Sequence, residues 1–193
     1  MTLRRSQSGR PTVDAAEPSD AAIMSRLSRG ESGALGELYD RHQAPVRRFI
    51  ARATSDAGDV DDLLHATFLG AAKSAARYDG RESCRPWLVG IAAQLLRRRH
   101  RAFGRLVAVL TSFGSARESA VDPRRSLDAR PDVERALRLL SEPKRVTFLM
   151  AELEGLSCPE IAKALDIPIG TVWTRLHAAR RELRQALTTG VER

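Results

Sequence analysis

The chain has 193 residues, of which 42% are hydrophobic and 5% aromatic, and a formal net charge of +8. That length supports one or two small domains, and the basic charge favours a polyanionic partner, either nucleic acid or an acidic membrane surface. No apolar run approaches the roughly 20 residues that span a bilayer, no signal-type segment opens the chain, and two distant cysteines with four scattered histidines give neither a zinc spacing nor a disulfide framework. We therefore expect a cytoplasmic protein with no membrane association, no metal and no other cofactor.

Residues 1–19 are polar, with Gly, Pro, Ser and mixed charge, and we expect them to form a disordered tail. From about Asp20 the apolar residues follow helical spacing. They are Ile23, Leu27, Leu35, Leu38, Val46, Phe49 and Ile50. Gly30 and Gly33 are expected to separate helices, and Pro45 is placed in the first turn of a further helix, where its missing N–H is tolerated.

The segment Ser55–Asp62 is typical of a turn followed by an acidic helix start, which suits the positive end of the helix dipole. The next helix is predicted to bury one apolar stripe. Its members are Leu64, Phe68, Ala71 and Ala75. The sequence YDGRES then breaks that helix. A further helix with an Arg-rich end follows, and it is expected to turn Trp87, Ile91 and Leu95 inward.

Helical periodicity fades over residues 104–131, a segment whose Ser, Arg, Asp and Pro content is typical of a flexible linker. A second helical block follows at 132–188, and residues 189–193 form a short tail. The first helix of that block carries Val133, Ala136, Leu137 and Leu140, and Pro143 opens the next. The sequence therefore predicts an all-α protein with two small helical domains, residues 20–103 and 132–188, on a flexible linker.

The second block ends in a predicted helix-turn-helix. Ser157 and Glu160 have the spacing of a capping box, and Asp166 stands at a sharp turn where a left-handed residue is needed. The helix that follows Pro168 is predicted to pack on the preceding one through Val172, Leu176, Ala179 and Leu183. Its opposite face is basic, which favours DNA reading in the major groove. A plain helical hairpin with a solvated basic face, or one that binds protein, is the alternative.

These residues carry a resemblance to a known family. The stretch ELEGLSCPEIAKALDIPIGTVWTRLHAARRELR resembles region four of the extracytoplasmic-function sigma factors, and DVDDLLHATFLGAAKSAARYDGRESCRPWLVGIAAQLL is similar to their region two. The resemblance covers roughly residues 20–102 and 132–187, in the family's order. It implies a dissociable specificity subunit of bacterial RNA polymerase, of the sigma-70 family, with no catalysis of its own. Region two of such a factor binds the β′ clamp helices of core polymerase and opens the −10 element, while region four reads the −35 element.

The exposed side of the last helix carries the expected −35 contacts. They are Thr171, Trp173, Thr174, Arg175, His177, Ala178, Arg180 and Arg181. Trp173 and Ala178 stand where the family often has Arg or Lys, so the resemblance implies an altered specificity. Apolar contact with thymine methyl groups would suit both residues, and the arginines would then hold the DNA backbone.

The expected −10 contacts surround the loop after Tyr78, because a melted strand needs a basic channel and a pocket for an unstacked base. They are Arg77, Tyr78, Gly80, Arg81, Ser83, Arg85, Gln94, Arg97 and Arg98. The resemblance implies that the Asp79–Arg85 loop holds a flipped base and that Gln94 lies on the reading helix. Trp87 is interpreted as a core residue, whereas Tyr78 fits packing and base contact equally well. The Arg97–Arg101 run is also compatible with a solvated helix end.

The resemblance places the polymerase contact on the helix with the acidic start. The expected residues are Asp61, Asp62, Leu63, His65, Ala66 and Leu69. Here the chain departs from the family, since His65 and Ala66 replace a usual Gln-Glu pair and Ala72 replaces a common Trp. These departures imply that the chain binds core polymerase more weakly than other members of the family do, or with a different specificity.

Three functions fit these patterns. The first is a sigma factor whose partners are RNA polymerase core, promoter DNA and an anti-sigma factor, the last implied by resemblance alone. The second is a stand-alone helix-turn-helix regulator whose first domain dimerises or senses a ligand. The third is a degenerate sigma-like protein that binds partners but initiates poorly. An enzyme acting on a small-molecule substrate is not expected, since the acidic residues form no nucleophile–base grouping and no phosphate-binding Gly loop is present.

Overall fold

The computed structural model describes residues 18–80, 83–112 and 131–191, and the regular elements in those ranges are all helical, as predicted. The α-helices in chain order are α1 Asp20–Ser28, α2 Ser32–Ala53, α3 Val60–Ser74, α4 Arg85–Ser112, α5 Pro131–Leu139, α6 Glu142–Glu152, α7 Cys158–Leu165 and α8 Ile169–Val191. Short 3-10 turns occupy Ala57–Asp59 and Ala75–Arg77. We refer to α1–α4 as the N-terminal half and to α5–α8 as the C-terminal half. None of the described helices is long and apolar enough to cross a bilayer.

The predicted tails and linker fall largely outside the described residues, which leave out 1–17, 113–130 and 192–193. Two of the predicted domain ends instead lie within helices that the structure describes. The first helical block was expected to end near residue 103, but α4 continues to Ser112. The second helical block was expected to end near residue 188, and α8 continues to Val191.

The N-terminal half begins with a capped helix and a long second one. The Ser19 hydroxyl oxygen accepts a hydrogen bond from the Ala22 amide at 3.2 Å, so one orphan donor of α1 is satisfied. Pro45 was predicted to open a separate helix and Gly33 to lie between helices, but both lie inside the continuous α2. A proline removes one backbone hydrogen bond, and the apolar stripe that α2 packs on α3 and α4 outweighs that loss.

The buried stripes of α3 and α4 differ in how well they were predicted. The predicted set Leu64, Phe68, Ala71 and Ala75 is buried. On α4 the prediction holds in part, because Trp87, Ile91 and Leu95 pack against the core but are only half-buried. The core stripe is formed instead by Leu88, Val89, Ala92, Ala93 and Leu96. The reason is that α4 packs on α2 and α3 on one side and on α6 and α7 on the other, so two neighbouring stripes are apolar.

The C-terminal half is organised around α8, which contacts α5, α6 and α7. The predicted stripe Val172, Leu176, Ala179 and Leu183 is buried. Ala136, Leu137 and Leu140 are also buried as predicted, whereas Val133 at the start of α5 is exposed.

The two halves are in direct contact, with α2 and α4 of one packed on α6 and α7 of the other. Arg145 of α6 is 1% exposed. Its Nε donates to the Ala53 carbonyl at 3.0 Å, and its Nη2 donates to the Ser55 hydroxyl at 2.7 Å. Ala53 ends α2, where backbone carbonyls lack intrahelical partners. A side chain of the C-terminal half therefore caps a helix of the N-terminal half.

Candidate nucleic-acid interface

The helix-turn-helix is fixed by local hydrogen bonds at α7 and by one backbone reversal. Oε2 of Glu160 accepts from the amide of Ser157 at 2.9 Å and from its hydroxyl at 2.7 Å, and the reciprocal capping box is present. Asp166 follows α7 with φ of 50° and ψ of 58°, in the left-handed region predicted for it. α8 then begins at Ile169, which confirms the predicted arrangement of the two helices.

A row of exposed side chains lies along α8, on the side opposite its buried stripe. Trp173 is 58% exposed, and Thr174, His177 and Arg181 are exposed as well. The Thr174 hydroxyl already donates to the Gly170 carbonyl at 2.8 Å, so its proton is used within the helix. The row combines an indole, an imidazole and a guanidinium, which suits contact with base edges and phosphates together.

The remaining predicted −35 contacts lie on the flanks of α8. Thr171 and Ala178 are half-buried. Arg180 is exposed, and its guanidinium donates to Oε1 of Glu152 at 2.7 and 3.1 Å from Nη2 and Nε. Arg175 lines a cleft of about 290 Å³ where the two halves meet.

The electrostatics of that cleft are dominated by arginine. Burial lowers the pKa of Arg175, and the nearby charges of Arg97 and Arg101 lower it further. Three guanidinium groups thus line the same cleft between the halves. Of the three arginines predicted to contact −35 DNA, Arg181 is therefore freely accessible and Arg180 is exposed but held in an ion pair. Arg175 lies at the contact between the halves.

An aromatic pair lies beside the predicted −10 loop. The ring centroids of Tyr78 and Trp87 are 5.4 Å apart and the rings meet at 65°, edge to face. Burial, together with the Cys84 side chain, raises the pKa of Tyr78, so the phenol stays neutral. Trp87 is half-buried and packs against the core, in agreement with its interpretation as a packing residue.

The loop is exposed at Asp79, Gly80 and Ser83 and buried at Cys84. Arg77 is exposed as well, and Gly80 has φ of 72°, which favours glycine. The Ser83 hydroxyl oxygen accepts from the Arg85 amide at 3.2 Å, close to the start of α4. The predicted contact Arg81 lies outside the described residues.

Two of the predicted −10 contacts are held by the C-terminal half. Nε2 of Gln94 donates to the Ala164 carbonyl at 2.9 Å. Nη2 of Arg85 donates to Oε1 of Glu154 at 3.1 Å, and its Nε lies 2.8 Å from Oε2. The Glu154 side chain is 3% exposed and that of Arg85 is 41% exposed, so the carboxylate is removed from water while the guanidinium stays partly solvated. The face of α4 that was predicted to read DNA is therefore covered by α7 and by the segment before it.

The cover is incomplete at its two ends. A cleft of about 360 Å³ separates the halves next to the aromatic pair, and Arg77, Trp87 and Lys163 are among its lining residues. At the other end Arg97 is half-buried, with Nη1 3.7 Å from Oδ2 of Asp166, while Arg98 is exposed.

The start of α3 presents the predicted polymerase contacts. Asp61 and Asp62 are exposed, and Arg47 of α2 donates to Oδ1 of Asp61 at 2.7 Å. Leu69, on the same helix, is 56% exposed although it is a large apolar residue. An acidic start with one exposed leucine is a surface suited to a partner that is basic and partly apolar.

The other residues of that set have different surroundings. His65 is exposed, and its ring lies 6.4 Å from that of Tyr39 at 13°, a stacked arrangement. Ala66 is half-buried. Leu63 is buried in the core, so it supports this face from beneath and contributes no surface to it.

Three residues with long-range contacts near the site were not predicted from the sequence, namely Asp20, Arg145 and Glu154. Each acts on a partner far away in the sequence, at Cys84, Ala53 and Arg85 respectively. Asp20 carries the weakest signal, since an acidic residue at a helix start is common for electrostatic reasons. Arg145 carries a better one, because it is a charged residue within the apolar pattern of α6.

Comparisons with known proteins match both halves. The family described as Sigma-70 region 2 matches residues 38–105, and that described as Sigma-70, region 4 matches residues 130–183. The RNA polymerase sigma factor CarQ of Myxococcus xanthus is 30% identical over 168 residues, which cover 85% of this chain and 95% of the relative. The ECF RNA polymerase sigma-E factor of Escherichia coli (strain K12) is 28% identical over 176 residues, with 85% and 92% covered.

Solved structures are similar over most of the chain. The sigma factor RpoE in complex with the anti-sigma factor NepR from Bartonella quintana superposes with a TM-score of 0.60 at 26% identity, covering 79% of this chain and 96% of that chain. CnrH, in complex with the cytosolic domain of CnrY, has the same fold, with a TM-score of 0.58 at 22% identity over 89% and 99%.

Proposed function

Since the chain belongs to the extracytoplasmic-function sigma factors of the sigma-70 family, and so directs RNA polymerase to specific promoters as a non-enzymatic initiation factor, we propose that its two halves divide promoter recognition. The N-terminal half binds core polymerase and takes up the opened −10 strand. The C-terminal half reads the −35 element. The observation that carries this division is that the residues expected to contact DNA lie in two places, α4 with the loop before it and α8, one in each matched region.

In the C-terminal half, α8 enters the major groove with its first turns against the bases. Trp173, His177 and Arg181 are exposed on one side of the helix, which is the disposition that groove reading requires. Trp173 offers apolar contact to thymine methyl groups in place of a charged contact. Arg180 reaches phosphate after exchanging its partner Glu152 for the DNA backbone.

In the N-terminal half, the aromatic pair and the arginines of α4 receive the single strand. Trp87 lines the cleft between the halves, and Tyr78 packs on it edge to face. Stacking on such rings holds unpaired bases. Arg97 and Arg98 hold the strand's phosphates, and Gln94 reads a base edge.

The polymerase contact is made by the exposed residues of α3. The acidic side chains Asp61 and Asp62 surround the start of the helix, and Leu69 offers the apolar contact. The coiled helices of the β′ clamp are the partner implied by the family.

The arrangement of the halves bears on regulation. Because Gln94 and Arg85 are engaged by the C-terminal half, the halves have to separate before α4 meets DNA. An anti-sigma factor that holds the halves together would keep the chain inactive. The similar sigma factor RpoE from Bartonella quintana was solved in complex with the anti-sigma factor NepR. We infer that the protein works in the cytoplasm, where polymerase and promoters are.

The function is tested by run-off transcription with purified core polymerase on a genomic fragment library. Specific transcripts and co-elution of the chain with core polymerase are expected. Absence of both would contradict the promoter-directing role. Co-elution without any transcript would instead favour the degenerate sigma-like protein, to which the departures at His65 and Ala66 point.

The −10 assignment is tested by Arg98→Ala, with Arg48→Ala as its matched control, since both are exposed helical arginines. Arg98→Ala should weaken binding of single-stranded −10 DNA by about threefold to tenfold and lower the salt slope of log K by about one. Arg48→Ala should change neither. Equal behaviour of the two variants would remove Arg98 from the site.

The polymerase contact is tested by Leu69→Ser against Leu139→Ser, because both leucines are exposed and the second lies in the C-terminal half. Removing an exposed apolar anchor from an interface typically weakens binding about tenfold or more. Leu69→Ser should therefore lower the affinity for core polymerase, measured by anisotropy of labelled protein. A stronger loss with Leu139→Ser would place the contact elsewhere.

A further inference from the structure

A buried carboxylate joins the start of the chain's first helix to the loop that precedes α4. Asp20, the first residue of α1, is 6% exposed. Its Oδ2 accepts a hydrogen bond of 2.7 Å from the backbone amide of Cys84, 64 residues away. Few side chains of the N-terminal half act over such a separation, and the contact lies beside the −10 loop.

The same carboxylate is held from a third direction by α2. Nη1 of Arg41 donates to Oδ1 of Asp20 at 3.0 Å, and Nε2 of His42 lies 2.8 Å from Oδ2. Burial alone would raise the pKa of Asp20, but the Cys84 amide, His42 and Arg41 together lower it, so the group is ionised near neutral pH. Both oxygens are therefore committed, and the carboxylate holds one position.

The Cys84 amide depends on this contact. Cys84 is fully buried, and its carbonyl accepts the first helical bond of α4 from Leu88 at 2.9 Å. An amide at such a helix start has no intrahelical acceptor, and left unpaired in the interior it would carry a desolvation cost. Asp20 supplies the acceptor that water supplies at an exposed helix end.

The Cys84 side chain extends the link to the aromatic pair. Its thiol interacts with the Tyr78 hydroxyl, and Tyr78 contacts Trp87 edge to face. Asp20, Cys84, Tyr78 and Trp87 thus form a continuous series of contacts from the start of α1 to the surface proposed to receive a base.

A favourable interaction between the Asp20 charge and the dipole of α1 does not by itself explain the contacts that Asp20 makes. An acidic residue that only complements the dipole of α1 is satisfied by water and its own first turn. Ser19 already caps that helix. Asp20 instead turns its oxygens towards α2 and α4, and so its contacts serve the loop.

We propose that Asp20 is a positioning residue for capture of the opened −10 strand, which holds the start of α4 and with it Tyr78 in place through the Cys84 amide. The inference rests on the proposed −10 site. It adds a residue at the start of α1 that touches no DNA itself and acts through the loop. Arg41 assists by fixing the carboxylate.

The test uses Asp20→Asn in the full chain bound to core polymerase, with Ser19→Ala as control. The asparagine keeps the size of the side chain, but its NH₂ group has to face one of the three donors. The probe is a fork-junction DNA carrying the single-stranded −10 segment of a promoter recovered by run-off transcription. Losing a hydrogen bond to a charged group predicts about tenfold weaker probe binding for Asp20→Asn. Ser19→Ala removes a cap at the same helix end without touching Cys84, and it should bind the probe normally.

A second readout follows the loop directly. Burial raises the pKa of the Cys84 thiol to about 12, so its alkylation at neutral pH is slow. In a Cys158→Ser background, Asp20→Asn should label several-fold faster at Cys84 than the parent, and Arg41→Gln should show a smaller change in the same direction. Affinity for −35 duplex should be unchanged in both variants.

The possible outcomes distinguish a failure of the proposed role of Asp20 from a failure of the proposed −10 site. Faster labelling with normal probe binding would make Asp20 structural and overturn the proposal, as would normal labelling and normal binding together. An equal loss of −35 and −10 binding would also overturn it, since the effect would then be general unfolding. If Arg98→Ala also leaves probe binding unchanged, the −10 site itself is wrong; if Arg98→Ala weakens binding and Asp20→Asn does not, only the role of Asp20 fails.

Discussion

The two helices proposed to face DNA differ in what covers them. On α8 the reading side is open, with Trp173, His177 and Arg181 in solvent. On α4 the corresponding side is closed by the other half of the chain, which takes the amide of Gln94 and the guanidinium of Arg85. In this arrangement the surface proposed for −35 DNA is accessible, and the surface proposed for the −10 strand is covered.

The two surfaces are also built by different forces. The open surface depends on local structure, a capping box and a left-handed turn that set α7 against α8. The closed one depends on contacts between residues far apart, among them the buried contact of Arg145 with Ala53 and the contact of the buried Glu154 carboxylate with Arg85. Local contacts persist when the halves separate, whereas the long-range contacts are lost. We therefore expect the proposed −35 surface to bind DNA while the two halves are still in contact. The proposed −10 surface is expected to bind only after the halves have separated.

The largest expected effect comes from Arg145→Ala. The change leaves the buried Ala53 carbonyl without its donor, and a hydrogen bond from a charged group contributes about 1.5–3 kcal/mol. The halves should then separate, which small-angle scattering would record as a larger radius of gyration, and affinity for single-stranded −10 DNA should rise about tenfold or more.

The matched control is Lys144→Ala, the neighbouring residue on α6. Lys144 pairs with Glu182 at 2.7 Å, and both lie in the C-terminal half. Its loss should cost less than about 1 kcal/mol of unfolding free energy and leave the radius of gyration unchanged. If Arg145→Ala stays as compact as Lys144→Ala, the buried arginine does not hold the halves together.

The same contrast explains what the sequence could predict. Ser157, Glu160 and Asp166 act on neighbours within a few residues, so their roles were predicted and confirmed. The helical class and the buried stripe of α8 follow from residue spacing, which is also local information. Because these signals are short-range, the helix-turn-helix was the best predicted part of the chain.

The contact between the halves was not predictable in the same way. Two adjacent stripes of α4 are apolar, and spacing alone does not say that Leu88 faces the core while Trp87 faces the cleft. The partner of Gln94 is a backbone carbonyl, which leaves no trace in side-chain pattern. The prediction of two domains on a linker therefore missed how closely α4 and α7 pack.

A smaller effect is expected from Glu154→Gln, which weakens one contact of the closed surface. The carboxylate is largely buried beside Arg85, so neutralising it removes the charge attraction and keeps the size of the side chain. We expect −10 strand affinity to rise about threefold to tenfold, since partly buried pairs exceed the 0.2–1 kcal/mol of exposed ones. Titration of the free chain with a labelled single strand measures this, and −35 duplex affinity should not change. An unchanged strand affinity would mean that Arg85 is free to bind DNA in the closed arrangement.

The smallest effect is expected from Glu152→Gln, the counterpart on the open surface. Glu152 holds Arg180 in an exposed ion pair at 2.7 Å, and exposed pairs contribute about 0.2–1 kcal/mol. Releasing Arg180 should raise −35 duplex affinity by about twofold to threefold and steepen its salt dependence, because the freed guanidinium displaces counterions more readily. Single-strand affinity and the radius of gyration should stay as in the parent, because Glu152 and Arg180 both belong to the C-terminal half. A change confined to −10 binding would contradict the division of the two surfaces, since a residue of the open one would then control the closed one.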